Sequence, residues 1–214
     1  MEIIIFEDKT CQNFYPLNLL RGTFDIKCGV FSVKERLELF SGKNISLFTQ
    51  REKVAYLKSI YPNNPINKFK PADTLYINSR VLLSKKQFDS ITKIKGKNWI
   101  LMQGDTLIAA LILKENIREK NPDEDLNFKG ELKNIDFKSL RTGSELMIME
   151  YAWDVIKYFD YMLPEDLNLI SDKKLSPKKK FRNLIKQSDI YIGKNVKVYP
   201  NSVLDATEGI IFID

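Results

Sequence analysis

The chain contains no histidine. That absence removes Ser/His and Cys/His catalytic pairs and most zinc sites, leaving carboxylates, lysines, arginines and neutral polar groups for any chemistry. Cysteine is scarce as well. Cys11 and Cys28 have neither metal-ligand spacing nor the density of a secreted disulfide scaffold, so both read as reduced thiols. No apolar run approaches the roughly eighteen residues of a membrane span. The opening "MEIIIFEDKT" begins with an acid and a short β-branched run, not with a basic stretch leading into a signal-peptide core. These absences lead to the expectation of a cytoplasmic protein with no membrane partner.

What is present suits a folded protein. The 214 residues are 43% hydrophobic, enough for one substantial domain and a small second element. Net charge is +6, which favours anionic partners such as phosphates and nucleotides. Much of the excess sits in "SDKKLSPKKKFRNLIKQ". That run lacks the interleaved aromatics of a single-strand platform, so it reads as a solvated basic linker and no nucleic-acid partner is expected.

Local signals then alternate. "EIIIFED" reads as a buried first strand. "SVKERLELF" opens on the capping box Ser32/Glu35, repeats apolar residues at helical spacing and ends at Gly42. "ISLF" reads as a second strand, and Thr49 with Glu52 predicts the cap of a second helix over "KVAYLKSIY". "TLYIN" is a third strand, and Ser84 with Gln87 caps a third helix. "NWILMQGDTLIAALIL" places Gly104-Asp105 between two apolar runs, predicting an antiparallel hairpin with Asp105 in its turn and hence a mixed α/β sheet flanked by helices. The charge-dense segment near residues 115 to 136 reads as a surface excursion or lid. "SELMIMEYAWDVIKYFDYML" is helical in its second half, with Trp153, Ile156 and Phe159 or Tyr158 expected to pack inward.

The tail has a different period. Ile192, Val198, Leu204 and Ile210 fall six apart with small or turn-forming residues between them, the pattern of a left-handed parallel β-helix. One coil cannot cover its own strand edges and apolar floor, so the chain is expected to be the front part of a longer protein or to self-associate through that end. The expected organisation is residues 1–170 as an α/β domain, 171–190 as basic linker and 191–214 as the first hexapeptide coil.

This layout, with "IIIFED…NFYPLNLLRGTFDIKCGVFSVKERLE", "DTLYINSRVLLS" and "WDVI", resembles the divergent GlmU-like sugar nucleotidyltransferases over most of the chain. The resemblance implies a nucleotide-diphospho-sugar transferase-like mixed sheet. It also implies attack of a sugar-1-phosphate on the α-phosphate of a nucleoside triphosphate, with pyrophosphate leaving and Mg²⁺ neutralising the phosphates, and a homotrimer formed through the β-helix.

The sequence departs from the standard signature, because "FEDKTCQNFYPLNLLRGTFDIKCG" stands where a glycine-rich loop would follow the first strand. In its place, Arg21 and Lys27 are the candidate catalytic cations and Gly22 a candidate substrate contact. Arg21 could instead pair with Asp25 or Glu7, and Gly22 could simply serve a turn. "YINSR" places Asn78 and Arg80 where the family's metal-binding Asp would stand. Both are candidate substrate-binding residues, with Arg80 alternatively covering the sheet end. Asp154 is the candidate metal ligand, or else a helix-start residue. Two functions follow: a sugar nucleotidyltransferase, or a non-catalytic module of the same fold serving binding or assembly.

Overall fold

The computed structural model describes residues 1–68, 72–116, 136–141, 145–172, 184–193 and 196–213. The chain divides into two compact units, Met1–Met162 and Leu163–Asp214. Residues 117 to 135 of the expected lid, and most of the basic linker, lie outside the described residues.

The first unit is built on a six-stranded mixed sheet. β1 (Glu2–Phe6) runs parallel to β2 (Ser46–Phe48) on one side and to β3 (Thr74–Asn78) on the other. A hairpin of β5 (Trp99–Gln103) and β6 (Thr106–Ile112) continues the sheet antiparallel to β3, and β7 (Lys138–Arg141) closes it parallel to β5. A short antiparallel pair, β4 (Val81–Leu82) with β8 (Met147–Ile148), stands beside it. The order β2-β1-β3-β6-β5-β7 places a topological switch between β1 and β3, since the connection out of β1 goes one way and the connection into β3 the other. In open α/β sheets, ligands bind outside the carboxyl ends of the strands at such a switch. One face of the sheet packs Ile4, Phe6, Phe48, Tyr76, Leu107, Ala110 and Ile112 into a single cluster. Ile5, Leu75 and Ile77 point to the other face and are equally buried.

Two of the three predicted helix caps form as read. α1 (Val33–Ser41) begins with a reciprocal Ser32/Glu35 box and ends at Gly42, whose φ of 67° is the left-handed conformation glycine tolerates. α3 (Lys85–Thr92) begins with the Ser84/Gln87 box. The third does not form: α2 (Arg51–Ile60) has Gln50 at its N-cap with no side-chain cap, and the Thr49 side chain is instead turned to buried Glu7, its hydroxyl donating at 2.5 Å. A long-range hydrogen bond to a buried carboxylate outweighs a local cap.

α4 (Asp154–Asp172) corrects a second expectation. Asp154 and Met162 are buried on it, whereas Trp153, just before its start, is 63% exposed and Ile156 is 79% exposed, with Phe159 also exposed. Of the expected packing residues, Trp153, Ile156 and Phe159 therefore face solvent, while the alternative Tyr158 is half-buried.

In the second unit, β9 (Leu184–Ile185) pairs parallel with β11 (Leu204–Asp205), and β10 (Ile190–Ile192) with β12 (Ile211–Ile213). Ile190, Ile192 and Ala206 form a small apolar cluster with Leu184, Val196, Val198, Leu204 and Ile211 around them. The six-residue rhythm holds through Leu204 and then slips. Ile210 is exposed and Ile211 takes the inward place, because pairing with Ile190 fixes the register of β12.

Replacing Ser32 with Ala removes the α1 cap and is expected to cost about 1 kcal/mol of stability in urea unfolding, while Thr49→Ser, which keeps the hydroxyl, costs less than half of that.

Candidate functional site

The residues at the switch point are consecutive with the strands that carry them. Glu7 and Asp8 follow β1, and Asn78 closes β3 with Ser79 and Arg80 after it. Arg80 is 1% exposed and grips Asp8 bidentately, Nε to Oδ1 at 3.0 Å and Nη2 to Oδ2 at 2.7 Å. The Asn78 amide donates to the same carboxylate at 2.8 Å and to the Leu107 carbonyl at 2.9 Å, and its own oxygen accepts the Arg80 N–H at 3.0 Å. Burial alone would push the Asp8 carboxyl up. The hydrogen-bonded, charged Arg80 guanidinium, helped by Asn78 and the Thr10 amide, outweighs it and holds the group below its ordinary value.

Arg80 also ties down a distant turn. Its Nη1 donates to the Met149 carbonyl at 2.8 Å and lies 3.6 Å from Glu150. Asn13 donates to the Glu150 carbonyl at 3.2 Å. Asp154, buried at the first position of α4, accepts the Glu150 and Tyr151 amides on one oxygen at 2.7 and 2.9 Å. The strand end, the loop after β1 and the turn before α4 are thereby joined.

The loop after β1 is pinned from beneath. Glu7 accepts the Thr23 amide at 2.7 Å and the Thr49 hydroxyl, and it forms a buried ion pair with Lys53 at 3.3 Å. Cys11 packs against Ser79, and burial, reinforced by the Glu7 and Asp8 carboxylates, pushes its thiol to about 12, so it is no nucleophile at neutral pH. Asp25 accepts from the Gly22 amide at 3.2 Å and from the Tyr61 hydroxyl at 2.8 Å, and burial raises its carboxyl to about 6 despite those bonds.

Against this frame the predicted residues separate into two sets. Asn78 and Arg80 come together, with all three guanidinium nitrogens of Arg80 and the Asn78 amide turned to Asp8 and the backbone around it. Asp154 serves the turn. Gly22 is required by close approach, since a Cβ there would stand 2.1 Å from the Phe24 ring, which is fully buried. Lys27 is exposed and lies 3.8 Å from exposed Glu35, a pair of small consequence. Arg21 is exposed, and neither Asp25 nor Glu7 is its partner, for these hold Tyr61 and Lys53. Asp105 occupies the hairpin turn as expected.

Asp8 and Lys53 were not singled out by sequence reasoning, and Glu7 entered it only as a possible partner of Arg21. The acids directly after β1 were the available signal, but their cationic partners lie 46 and 72 residues away.

Among the described residues, no three His, Cys, Asp or Glu side chains are arranged to hold a metal ion. The donor set agrees, since both oxygens of Glu7 and of Asp8 already accept strong donors. These residues do not fit a protein-held divalent ion. A cavity of about 380 Å³ lies at the opposite end of the strands, lined by Glu2, Lys43, Ser46 and Asn63, away from all of the predicted residues.

Two stability measurements test this arrangement. Lys53→Met strands the buried Glu7 charge and is expected to cost roughly 3–5 kcal/mol in urea unfolding, with the Glu7→Gln/Lys53→Met double variant recovering most of the loss. The Asp25 carboxyl is raised in the folded state, so the native state binds its proton more tightly than the unfolded chain does. Its contribution is fully present below about pH 4 and is lost as pH rises through about 6. Wild-type stability minus that of Asp25→Asn should fall across that window and then level, whereas a flat difference above pH 5 would show an ordinary carboxyl.

The family profile described as "Sugar nucleotidyl transferase" matches residues 3–174. The solved inositol-1-phosphate CTP transferase of T. maritima superposes with a TM-score of 0.52 at 8% identity, covering 77% of this chain and 96% of that one. A Bacillus anthracis protein assigned as a glucose-1-phosphate thymidylyltransferase, in complex with sucrose, gives 0.49 at 10% identity, covering 76% and 95%. None of the curated proteins compared matches the chain. No helix among the described residues is long and apolar enough to cross a membrane. With the profile spanning most of the chain, and a sheet whose switch point lies between β1 and β3, this chain belongs to the sugar nucleotidyl transferase family.

Proposed function

We propose that this protein transfers a nucleotidyl group from a nucleoside triphosphate to a sugar-1-phosphate. A phosphate oxygen of the sugar-1-phosphate forms a bond to the α-phosphorus, the bond from that phosphorus to the bridging oxygen of the β-phosphate breaks, and pyrophosphate leaves with the electron pair. The observation that carries the reading is Arg21. It is an exposed guanidinium with no side-chain partner among the described residues, two positions from Thr23, whose amide is pinned to Glu7 at the end of β1. A planar, permanently charged fork beside a switch point suits bidentate phosphate binding and the charge of the leaving pyrophosphate.

Lys27, exposed farther along the same loop, adds positive charge as the second cation. Arg80, Asn78 and Gly22 act as positioning residues that fix the loop and the strand ends. Asp154 holds the turn before α4. Mg²⁺ would arrive with the triphosphate and would supply neutralisation of its phosphate charge. The parallel pairs of the second unit join segments about twenty residues apart, near the roughly eighteen of three hexapeptides. This spacing supports the reading of residues 191–214 as the start of a left-handed β-helix, and a homotrimer formed through it is the assembly we infer from the family resemblance.

A second reading, a binding or assembly module without turnover, is favoured by one observation: both oxygens of Asp8 are held by Arg80 and Asn78. A pyrophosphate-release assay with four nucleoside triphosphates and a panel of sugar-1-phosphates separates the two. Release is expected to depend on the sugar phosphate and to fall at least about 100-fold in Arg21→Ala, in line with loss of a group that stabilises developing charge. Silence across the panel from folded protein would leave the module.

A further inference from the structure

The turn before α4 presents an aromatic pair that neither the core nor the strand-end network uses. Tyr151 and Trp153 stack with ring centroids 4.7 Å apart and planes 6° from parallel. They are 44% and 63% exposed. Exposed aromatics on a surface turn commonly drift, but this turn is fastened at three points: Arg80 to the Met149 carbonyl, Asn13 to the Glu150 carbonyl, and Asp154 to the Glu150 and Tyr151 amides. Two large rings are thus held rigidly in solvent, against the ordinary tendency to bury them. The same Arg80 fixes both this turn and the switch point, so the pair stands at the ligand-binding end of the sheet.

We propose that Trp153, backed by Tyr151, is the stacking platform for the base of the nucleotide substrate. The inference rests on the nucleotidyltransferase reading and adds a residue to it. Two nearly parallel rings extend naturally into a third planar π-system, which a nucleobase has and a pyranose lacks. Cationic groups suited to the attached phosphates are at hand. Lys157, exposed with its ammonium 4.9 Å from the Tyr158 ring, lies four residues along the same helical face, and Arg21 is on the loop that Asn13 joins to the turn. Stacking of this kind tolerates different bases, so the platform supplies affinity more than choice of nucleotide.

Fluorescence reads the proposal directly, because the chain has two tryptophans and the other, Trp99, is 2% exposed in β5. Wild-type protein and Trp153→Phe are titrated with the four nucleoside triphosphates, tripolyphosphate and glucose 1-phosphate. Nucleotide affinity of wild type, Trp153→Phe and Trp153→Ala is measured by equilibrium dialysis. Saturable quenching by the nucleotides alone is expected, vanishing in Trp153→Phe. Affinity should fall about tenfold in Trp153→Ala and by less than threefold in Trp153→Phe. Absence of nucleotide quenching, equal quenching by tripolyphosphate, quenching by glucose 1-phosphate alone, or unchanged affinity in Trp153→Ala overturns it. So does a shift of elution volume in Trp153→Ala without nucleotide quenching, which would make the ring a contact between copies of the chain. Nucleotide quenching without pyrophosphate release upholds the platform and defeats the catalytic reading. Release with unaltered nucleotide affinity in Trp153→Ala does the reverse.

Discussion

The bidentate pair of Asp8 and Arg80 is the constraint on which the rest of the ligand-binding end depends. A buried guanidinium is tolerable only when its charge is met and its N–H groups are satisfied. Asp8 supplies the charge, and the Met149 carbonyl takes a further donor. One side chain therefore joins the ends of two parallel strands to a turn nearly seventy residues on, and Asn78 closes the arrangement from β3. Because the switch point lies between those two strands, this pair sets the floor on which any ligand would rest.

That constraint distributes the remaining chemistry. A carboxylate clamped by arginine and amide is a poor metal ligand, and an arginine clamped by a carboxylate is a poor phosphate ligand, so we assign both Asp8 and Arg80 to the frame. In the function we propose, ligand contacts pass to groups outside that network: Arg21 on the loop after β1, and the Tyr151–Trp153 stack on the turn before α4. The buried Glu7–Lys53 pair serves the first as the Asp8–Arg80 pair serves the second. Rigid support beneath exposed polar and aromatic groups preorganises a site, lowering the cost of ordering it when a ligand arrives.

Most of the fold was legible because it is written locally. Alternating strand and helix signals, the Ser32 and Ser84 boxes, the Gly42 stop and the Gly104-Asp105 turn each depend on neighbours within a few residues. What failed depends on distant partners. Thr49 has every local mark of a cap and was claimed by Glu7 instead. Trp153 and Ile156 lie at helical spacing but face solvent, since periodicity shows that an apolar stripe exists without showing what covers it. Ile210 lost its place to Ile211 through strand pairing. For the site, the free and bound cations could not be separated in sequence, because Arg21 and Arg80 differ only in whether a carboxylate 72 residues away in the chain was waiting for one of them.

The central claim is this division of labour, with Arg21 addressed to the ligand and Arg80 to the fold. It is tested most directly by thermal unfolding of wild type and Arg21→Ala, each with and without a saturating nucleoside triphosphate. Arg21 is exposed and holds no structural partner among the described residues, so the variant should unfold at the wild-type temperature when alone. It should also lose most of the stabilisation that the nucleotide gives wild type, as linkage requires when binding to the native state weakens. A variant that keeps the full ligand-induced shift, or one already destabilised without ligand, would contradict the account.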